Sequence, residues 1–421
     1  MPKTICVGLD VSQDQVVESA LSPEGQRLGR ITRFPNTLPG AQQVEAWIVT
    51  QAQTNGAATL RIGTEATSFF DLHLANYLVQ APELQPYFPE VYRLNARQLH
   101  QFKKSYPEQS KTDIQNAFVI ADFLRFGRLP APYRGEPPYA PLRRLTRYRH
   151  HLVRTLVREQ QYFMAHLFLK CSGLVQERPA GKPLSATAAA LATEFLSADE
   201  LAGKPTEELV AFLVEKARNR FADPGQVARE VQRVARQSYR IGPGLAGSVN
   251  LILASTLQTI RTLRVTLKEV NEAIAREFAA FPNTLQSVPG IGPVYAAGIF
   301  AEIGEIGLFR SEAQLAKLAG LAWKRHQSGK FEGEESHLVQ GCNKHLRYYL
   351  IEAANSVRRH DEEYRRFYER KYQEVRQHRH KRALVLTARK LVRLVYALLV
   401  KGQLYDRHYS SSPGFSTAEL A

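Results

Sequence analysis

Cysteine is scarce in this sequence, and long apolar runs are missing. Its 421 residues contain three cysteines, Cys6, Cys171 and Cys342, each more than 100 residues from the next. That spacing excludes a disulfide framework and a zinc site built from paired cysteines, and it favours a reducing compartment. No apolar stretch reaches the roughly 18 residues of a membrane span, and the N-terminal residues lack the order of a signal peptide. We therefore expect a cytoplasmic protein with no membrane partner.

Acidic residues are too few to balance the basic ones. The sequence has 56 Lys and Arg against 40 Asp and Glu, a formal net charge of +16. Hydrophobic residues make up 44% and charged residues 23%, a composition that excludes a disordered or fibrous chain. A basic surplus indicates a polyanionic partner, because Lys and Arg release counterions when they bind phosphates. Nucleic acid is the partner that this charge predicts.

The first 130 residues alternate between strand and helix patterns. In order, these are strands at 4–11, 15–22 and 25–36, a helix at 38–53, a strand at 59–63, a helix at 67–80, a strand at 89–94 and a helix at 111–129. Three antiparallel strands followed by alternating helices and strands are typical of a ribonuclease H-like, or RuvC-like, α/β domain. We assign this fold to residues 1–130.

Five prolines between residues 130 and 141 mark a domain boundary, beyond which the pattern is helical. The assigned regions are a helical and coiled-coil middle with inserted helices at 131–284, a mostly α-helical C-terminal domain at 285–408 and a flexible tail at 409–421. In the middle region, every seventh position is apolar at Leu253, Ile260, Leu267 and Ile274, which predicts a coiled-coil or bundle helix. The pattern leaves open whether this seam packs within the chain or against a second copy.

Four oxygen-bearing side chains stand where a ribonuclease H-like sheet brings them to one edge. Asp10 ends the first strand, Glu65 follows the strand at 59–63, and Asp113 begins a predicted helix. Asn116, three residues after Asp113 on the same helix face, can add a neutral oxygen ligand. Carboxylates in this order hold Mg²⁺, which polarises a phosphate and activates the attacking oxygen. Taken singly, each acid is better explained as a turn or helix N-terminal residue, but their joint order favours a magnesium site.

A serine lies among basic residues near the C-terminal end. Ser328 falls in a polar, glycine-containing loop together with Lys324, Arg325 and Lys330, which are candidate nucleic-acid contacts. The segment has no resemblance to the GxSxG elbow of a hydrolase. From the residues alone, a lone serine in such a loop is more often only polar than nucleophilic.

The segment ProGlyIleGlyPro at 289–293 resembles the hairpin of a helix-hairpin-helix module. In such a hairpin, Gly290 and Gly292 allow backbone N–H groups to approach a phosphate at the start of the next helix. The alternative is a plain turn between two helices.

The last helices carry half of the net charge, since residues 358–393 hold 13 Lys and Arg against 5 Asp and Glu. The aromatic residues interleaved with these charges are Tyr364, Phe367, Tyr368 and Tyr372. Together they favour binding to a phosphate backbone over a merely solvated face. The candidate contacts are Arg379, Lys381 and Arg382.

Seven segments resemble successive motifs of one protein family. They are GLDVS at 8–12, GTEATSFF at 63–70, KTDIQNAFVIADFLR at 111–125, SVPGIGP at 287–293, LAGLA to QSGK at 318–330, GCNKHLRYYLIEAA at 341–354 and KRALVLTARKLVRLVYALLVKGQLYD at 381–406. In this order they are similar to the insertion-sequence 110 family of DEDD transposases. That family is related to the Piv-type DNA invertases, and some of its members are guided by a bridge RNA.

The resemblance implies a RuvC-like domain, a coiled-coil middle and a C-terminal transposase domain with a serine nucleophile. Asp10, Glu65 and Asp113 match the first three acids of the family's Mg²⁺ cluster, and Ser328 matches the nucleophile. It further implies a covalent protein–DNA intermediate, donor and target DNA as substrates, and a noncoding bridge RNA as partner. The expected assembly is a homodimer or homotetramer, associated with DNA in a prokaryotic cytoplasm, in which acids and serine form a composite site.

Two features depart from the family pattern. The position of the fourth acid is Asn116, which removes one negative charge, and residues 172–250 contain no recognisable motif. Asn116→Asp is expected to lower the Mg²⁺ requirement, unless the amide N–H₂ donates to a neighbour that a carboxylate would repel. Two other functions stay open: a RuvC-like nuclease or junction resolvase that uses water, and a nucleic-acid-binding scaffold without catalysis.

Overall fold

A computed structural model describes residues 3–66, 68–106, 112–324, 327–328, 331–332, 337–338 and 341–406; at 243, 324, 327–328, 331–332 and 337 it describes the backbone alone. The chain divides into two compact units, Met1–Pro138 and Tyr139–Ala421. The division falls inside the proline cluster that the sequence marks as a boundary. The segments assigned to 131–284 and 285–408 lie almost entirely in the second unit.

The N-terminal unit is built on a mixed six-stranded sheet. Its strands are β1 (Thr4–Val11), β2 (Gln15–Leu21), β3 (Arg27–Leu28), β4 (Arg33–Pro35), β5 (Thr59–Glu65) and β6 (Glu90–Leu94). The main order is β3-β2-β1-β5-β6, with β4 also paired to β2. The pairs of β1 with β5 and of β5 with β6 are parallel, and those of β2 with β1, β3 and β4 are antiparallel. The mixed sheet agrees with the predicted α/β class, although the expected third strand is two short strands.

The α-helices of this unit, in the part of the chain that the structure describes, are α1 (Leu38–Thr54), α2 (Leu72–Gln80), α3 (Ala96–Lys103) and α4 (Asp113–Phe126), with a 3-10 helix at Pro82–Tyr87. Thr37 caps α1 by accepting from the Gly40 N–H, and Thr112 caps α4 by accepting from the Gln115 N–H at 3.2 Å. Helix α4 lies directly on β1, because Gly8 has no side chain to keep it away. A Cβ at Gly8 would lie 2.1 Å from the Ala117 carbonyl oxygen.

The second unit is mostly helical. Its helices are α5 (Ala140–Lys170), α6 (Ser172–Gln176), α7 (Ala186–Glu194), α8 (Ala198–Gly203), α9 (Thr206–Ala217), α10 (Pro224–Gln237), α11 (Pro243–Phe278), α12 (Pro293–Ile303), α13 (Glu312–Leu318), α14 (Lys344–His360), α15 (Glu362–Gln373) and α16 (Arg379–Lys401). The sequence predicts one helix at 344–375, but the structure has two, α14 and α15, separated at Asp361. The Asp361 carboxylate caps α15 by accepting from the Tyr364 N–H. No helix among the described residues has the length and apolarity to cross a bilayer.

The two long helices α5 and α11 pack along each other and connect two hydrophobic cores. The heptad positions Leu253 and Ile260 are buried in a core shared with the inserted helices α6–α10. Farther along α11, Ile274 is buried in a second core with α12–α16, and Leu267 packs against it. The seam that the heptad pattern predicts is therefore occupied within the chain, which is the intramolecular alternative.

Candidate active site

The sheet brings two of the predicted acids to the same edge. Asp10 lies near the end of β1 and Glu65 ends the neighbouring strand β5; the parallel register places Leu9 opposite Thr64, one residue before each acid. Both side chains are half-buried. The sequence predicts that Glu65 lies just after a strand at 59–63; in the structure this strand extends to Glu65 and is the parallel neighbour of the strand that carries Asp10.

Helix α4 brings Asn116 onto Asp10. The amide Nδ2 of Asn116 donates to Asp10 Oδ2 at 3.1 Å, and Asp113, one turn earlier and exposed, accepts from Gln15 Nε2 at 3.3 Å. The Thr112 cap fixes where the helix begins, and the close packing of Ala117 and Ala121 on Gly8 sets which residues face β1. The amide N–H₂ thus donates to a carboxylate. An Asp side chain at position 116 would be repelled by that carboxylate, which is the exception given above for Asn116→Asp.

Lys103, the last residue of α3, also contacts this corner. Its Nζ donates to Asn116 Oδ1 at 2.5 Å. Sequence reasoning missed Lys103 because it predicted no helix at 96–103. The available signals were Asn95, which caps α3 by accepting from the Arg97 N–H, and the apolar pair Leu99 and Phe102 at a spacing of three.

The electrostatics of Asp10 favour a cation. Burial raises the pKa of the Asp10 carboxyl, the hydrogen bond from Asn116 opposes this, the negative charge of Asp113 raises the pKa further, and Lys103 lowers it. A half-buried carboxylate beside a second carboxylate gains from any positive charge bound there. Carboxylate and amide oxygens are also the ligands that Mg²⁺ prefers, so the residues fit this ion in kind.

The side chains do not form a preassembled metal cage. In the part of the chain that the structure describes, no three His, Cys, Asp or Glu side chains are grouped closely enough to hold a metal ion. Asp10, Glu65 and Asp113 share one edge of the unit without forming the compact cluster expected from the sequence. Asn116 and Lys103 instead provide the hydrogen bond and the positive charge beside Asp10.

Ser328 lies in a short antiparallel ribbon rather than in an irregular loop. The strands are β7 (Trp323–Lys324), β8 (Gln327–Ser328), β9 (Phe331–Glu332) and β10 (His337–Leu338), and Ser328 pairs with Phe331. Strand β7 pairs with β10 and places Lys324 opposite His337. The predicted contacts Arg325 and Lys330 lie outside the described residues, and so do the side chains of Lys324 and Ser328.

The base of this ribbon is tied to the C-terminal core at both ends. The backbone N–H of Asn343, after the ribbon, donates to the Leu318 carbonyl, before it, at 2.8 Å. Arg347 Nη2 donates to the Gly320 carbonyl at 2.6 Å. Asn343 also caps α14 and donates through Nδ2 to buried Glu302 at 2.8 Å. Residues of the GCNKHLRYYL motif therefore fix where the serine-bearing ribbon begins and ends.

Glu302 is the buried charge on which this tie depends. Arg147 donates to both of its carboxylate oxygens, from Nε at 2.6 Å and from Nη2 at 2.8 Å. Burial opposes ionisation, but the Arg147 guanidinium and the Asn343 amide hold the pKa of Glu302 below its ordinary value. The Glu302 carboxylate therefore holds Arg147 and Asn343 in place through these hydrogen bonds.

The two glycines of the 289–293 segment differ in their surroundings. Gly290 has a φ of +94°, and a Cβ there would lie 3.0 Å from the backbone of Ser356 and Val357 in α14. Its role is close helix packing at a turn. Gly292 is the N-cap residue of α12, is exposed and has open space where a Cβ would lie, so of the two glycines it is the better candidate for a phosphate contact.

Fewer side chains of the basic run at 358–393 are available to bind nucleic acid than the sequence predicts. Tyr364 and Tyr368 are buried in the core and cannot stack on bases. Arg382 donates to the Glu374 carboxylate at 2.9 Å, so its charge is already paired. Arg379 and Lys381 are exposed at the start of α16 and are the stronger candidates for phosphate contact.

Comparison with known proteins gives matches over both units. A family model described as a DEDD transposase of the IS110 type matches residues 7–171, and one described as a transposase of the IS116/IS110/IS902 family matches residues 283–369. A 42 kDa protein of insertion element IS900 from Mycobacterium paratuberculosis is 30% identical over 360 residues, 82% of this chain and 86% of the relative. A 44.8 kDa protein of insertion element IS116 from Streptomyces clavuligerus is 27% identical over 313 residues, 73% of this chain and 76% of the relative. Both are described as uncharacterized.

Proposed function

The chain belongs to the IS116/IS110/IS902 family of insertion-sequence transposases, and on that premise we propose that it is a Mg²⁺-dependent DNA recombinase with a serine nucleophile. The N-terminal unit is a RuvC-like domain in this proposal, and the partners are donor and target DNA, a noncoding bridge RNA and further copies of the chain. The observation that carries it is the half-buried Asp10 beside Glu65, with Asn116 of α4 hydrogen-bonded to it.

Asp10, Glu65 and Asp113 would hold the metal ion, which polarises the scissile phosphate when bound. Ser328 supplies the attacking oxygen. Its Oγ forms a bond to phosphorus as the bond from phosphorus to a DNA oxygen breaks, and the proton that the serine loses is balanced by the one that the DNA oxygen takes up as it departs as a hydroxyl. Attack by the hydroxyl of another DNA end reverses these steps and releases the serine. Because the phosphoester is kept, strand exchange needs no external energy source.

A catalytically inactive nucleic-acid-binding scaffold is the second candidate. It is favoured by the Asn at position 116 and by the lack of a group of three potential ligands among the described side chains. Cleavage in the presence of Mg²⁺ separates the two candidates, since a scaffold binds DNA without cutting it.

The test of the metal site is Asp10→Asn in the full chain. This substitution keeps the shape of the side chain and removes its charge, so we expect Mg²⁺-dependent cleavage of a plasmid carrying the element's ends to fall by about 100-fold or more. The melting temperature should stay level or rise, because the variant no longer buries a carboxylate beside Asp113. Asp14→Asn, which neutralises an exposed acid in the turn after β1, is the control. Cleavage by Asp10→Asn at the rate of the Asp14→Asn control contradicts a catalytic role for this edge.

The exposed pair at the start of α16 gives a separate prediction. Arg379→Ala with Lys381→Ala should weaken binding to DNA or RNA and flatten the slope of log affinity against log salt by about two units, one for each lost phosphate contact. Lys182→Ala with Arg220→Ala removes the same charge from exposed positions among the inserted helices. Fluorescence anisotropy across a salt series measures both slopes. Equal slopes for the two double variants would show that the α16 pair is only a solvated surface.

A further inference from the structure

Lys103 and Asn116 form a pair whose orientation is fixed by the groups around it. The ammonium of Lys103 contacts the amide oxygen of Asn116, and the amide N–H₂ faces the Asp10 carboxylate. Turning the amide over would set an N–H₂ group against the ammonium and an oxygen against the carboxylate. The hydrogen-bond network therefore determines that the amide oxygen, which is the atom able to bind a metal, points at Lys103.

The same contact brings a positive charge to a corner that holds two carboxylates. Lys103 is half-buried, unlike its exposed neighbour Lys104, and its charge acts on Asp10 against the effects of burial and of Asp113. At this corner a neutral amide takes the place of a carboxylate ligand, and a lysine ammonium takes the place of the bound cation of a magnesium site. The net charge of the corner is closer to zero than three acids alone would make it.

We propose that the Lys103 ammonium is the resident cation of this site, held on Asn116 beside Asp10, and that a divalent cation must displace it in order to bind. The inference rests on the proposed function, since it takes Asp10 to be a metal ligand. Two like charges at one oxygen repel each other, so Lys103 and a divalent cation compete for Asn116 and Asp10. Displacement frees the amide oxygen and leaves the ammonium close to the site.

Competition also predicts what a fourth acid would do here. In an Asn116→Asp protein, Lys103 would form an ion pair with the new carboxylate and keep it from the metal. Restoring the acid alone should therefore change metal affinity little. Removing the lysine at the same time should expose a ligand set of four carboxylates. The two positions are coupled, and a double-mutant cycle measures that coupling.

The experiment is a titration of metal-free, full-length protein with Mn²⁺, in which free Mn²⁺ is measured by electron paramagnetic resonance. Lys103→Met, which keeps the length of the side chain, should lower the dissociation constant by about tenfold, and Lys104→Met, the charge-matched control, should change it less than about twofold. The dissociation constant of Asn116→Asp alone should stay near that of the natural protein, and the Lys103→Met, Asn116→Asp double variant should bind Mn²⁺ most tightly. Lys103→Gln serves the same purpose if the Met variant does not fold.

Two results would overturn the proposal, and they differ in what else they affect. If Lys103→Met and Lys104→Met bind Mn²⁺ equally while Asp10→Asn loses binding, the metal site stands and Lys103 is not its resident cation. If Asp10→Asn binds Mn²⁺ like the natural protein, the metal part of the proposed function fails together with this inference. Tighter binding by Lys103→Met that is lost on adding Asp10→Asn supports both.

Discussion

We expect a Ser328→Ala protein to form no covalent adduct with DNA and to give no recombination, while its affinity for DNA and RNA stays within about twofold of the natural protein. The variant lacks the only side-chain oxygen at this position, so the bond from serine to phosphorus cannot form, and losing a nucleophile costs about 10⁴-fold or more in rate. Denaturing gel electrophoresis of the reaction with end-labelled DNA detects the adduct. A recombination assay on paired plasmids measures the overall reaction.

Ser311→Ala is a suitable control. Ser311 lies in the same unit, at the start of α13, and its side chain makes no capping hydrogen bond. This variant should keep both the adduct and recombination. Recombination by Ser328→Ala at the natural rate would remove the serine mechanism. Nicked DNA without an adduct from the natural protein would instead favour the RuvC-like nuclease that uses water.

The elements that position Asp10, Glu65 and Asp113 could be predicted because each is determined locally. The strand of Asp10 is a continuous apolar run, as expected for a strand buried on both faces, and it ends where the sequence turns polar. The helix of Asp113, predicted at 111–129, is shorter at both ends: it begins after the Thr112 cap and ends before Gly127, whose φ is positive. Such signals come from neighbours in sequence, so they can be recognised without knowledge of the tertiary structure.

The contacts of Lys103 and the partner of the α11 heptads could not be predicted, because they depend on packing between distant segments. The sequence of α3 is short and polar, and only Leu99 is buried, so it has few apolar residues to mark a helix. The heptad pattern of α11 shows an apolar seam but not what covers it. Likewise, Tyr364 and Tyr368 follow the spacing of an exposed basic and aromatic face, yet the helices around them bury both rings. A residue's own segment does not show which neighbouring helix will bury it.

Gly8→Ala should displace α4 and lower the stability of the N-terminal unit by about 3 kcal/mol. The added Cβ would lie 2.1 Å from the Ala117 carbonyl oxygen and 2.4 Å from the Ala121 nitrogen, which are backbone atoms that no change of side-chain conformation can move. The helix must therefore shift as a body. Because α4 carries Asn116 and Asp113, the shift should also break the hydrogen bond to Asp10 and reduce Mg²⁺-dependent cleavage.

The paired strand supplies the control for this prediction. Gly63 lies opposite Gly8 in the parallel register, and a Cβ there would lie 3.0 Å from Leu124 Cδ1, the end of a flexible side chain. Gly63→Ala should therefore cost about 1 kcal/mol or less. Hydrogen exchange of peptides from α4 and α16 measures the two variants in the full chain. We expect Gly8→Ala to lose protection in α4 and not in α16, and Gly63→Ala to keep protection in both helices, because the clash acts on the backbone of one helix. Equal protection in both variants would show that the position of α4 does not depend on the missing side chain at Gly8.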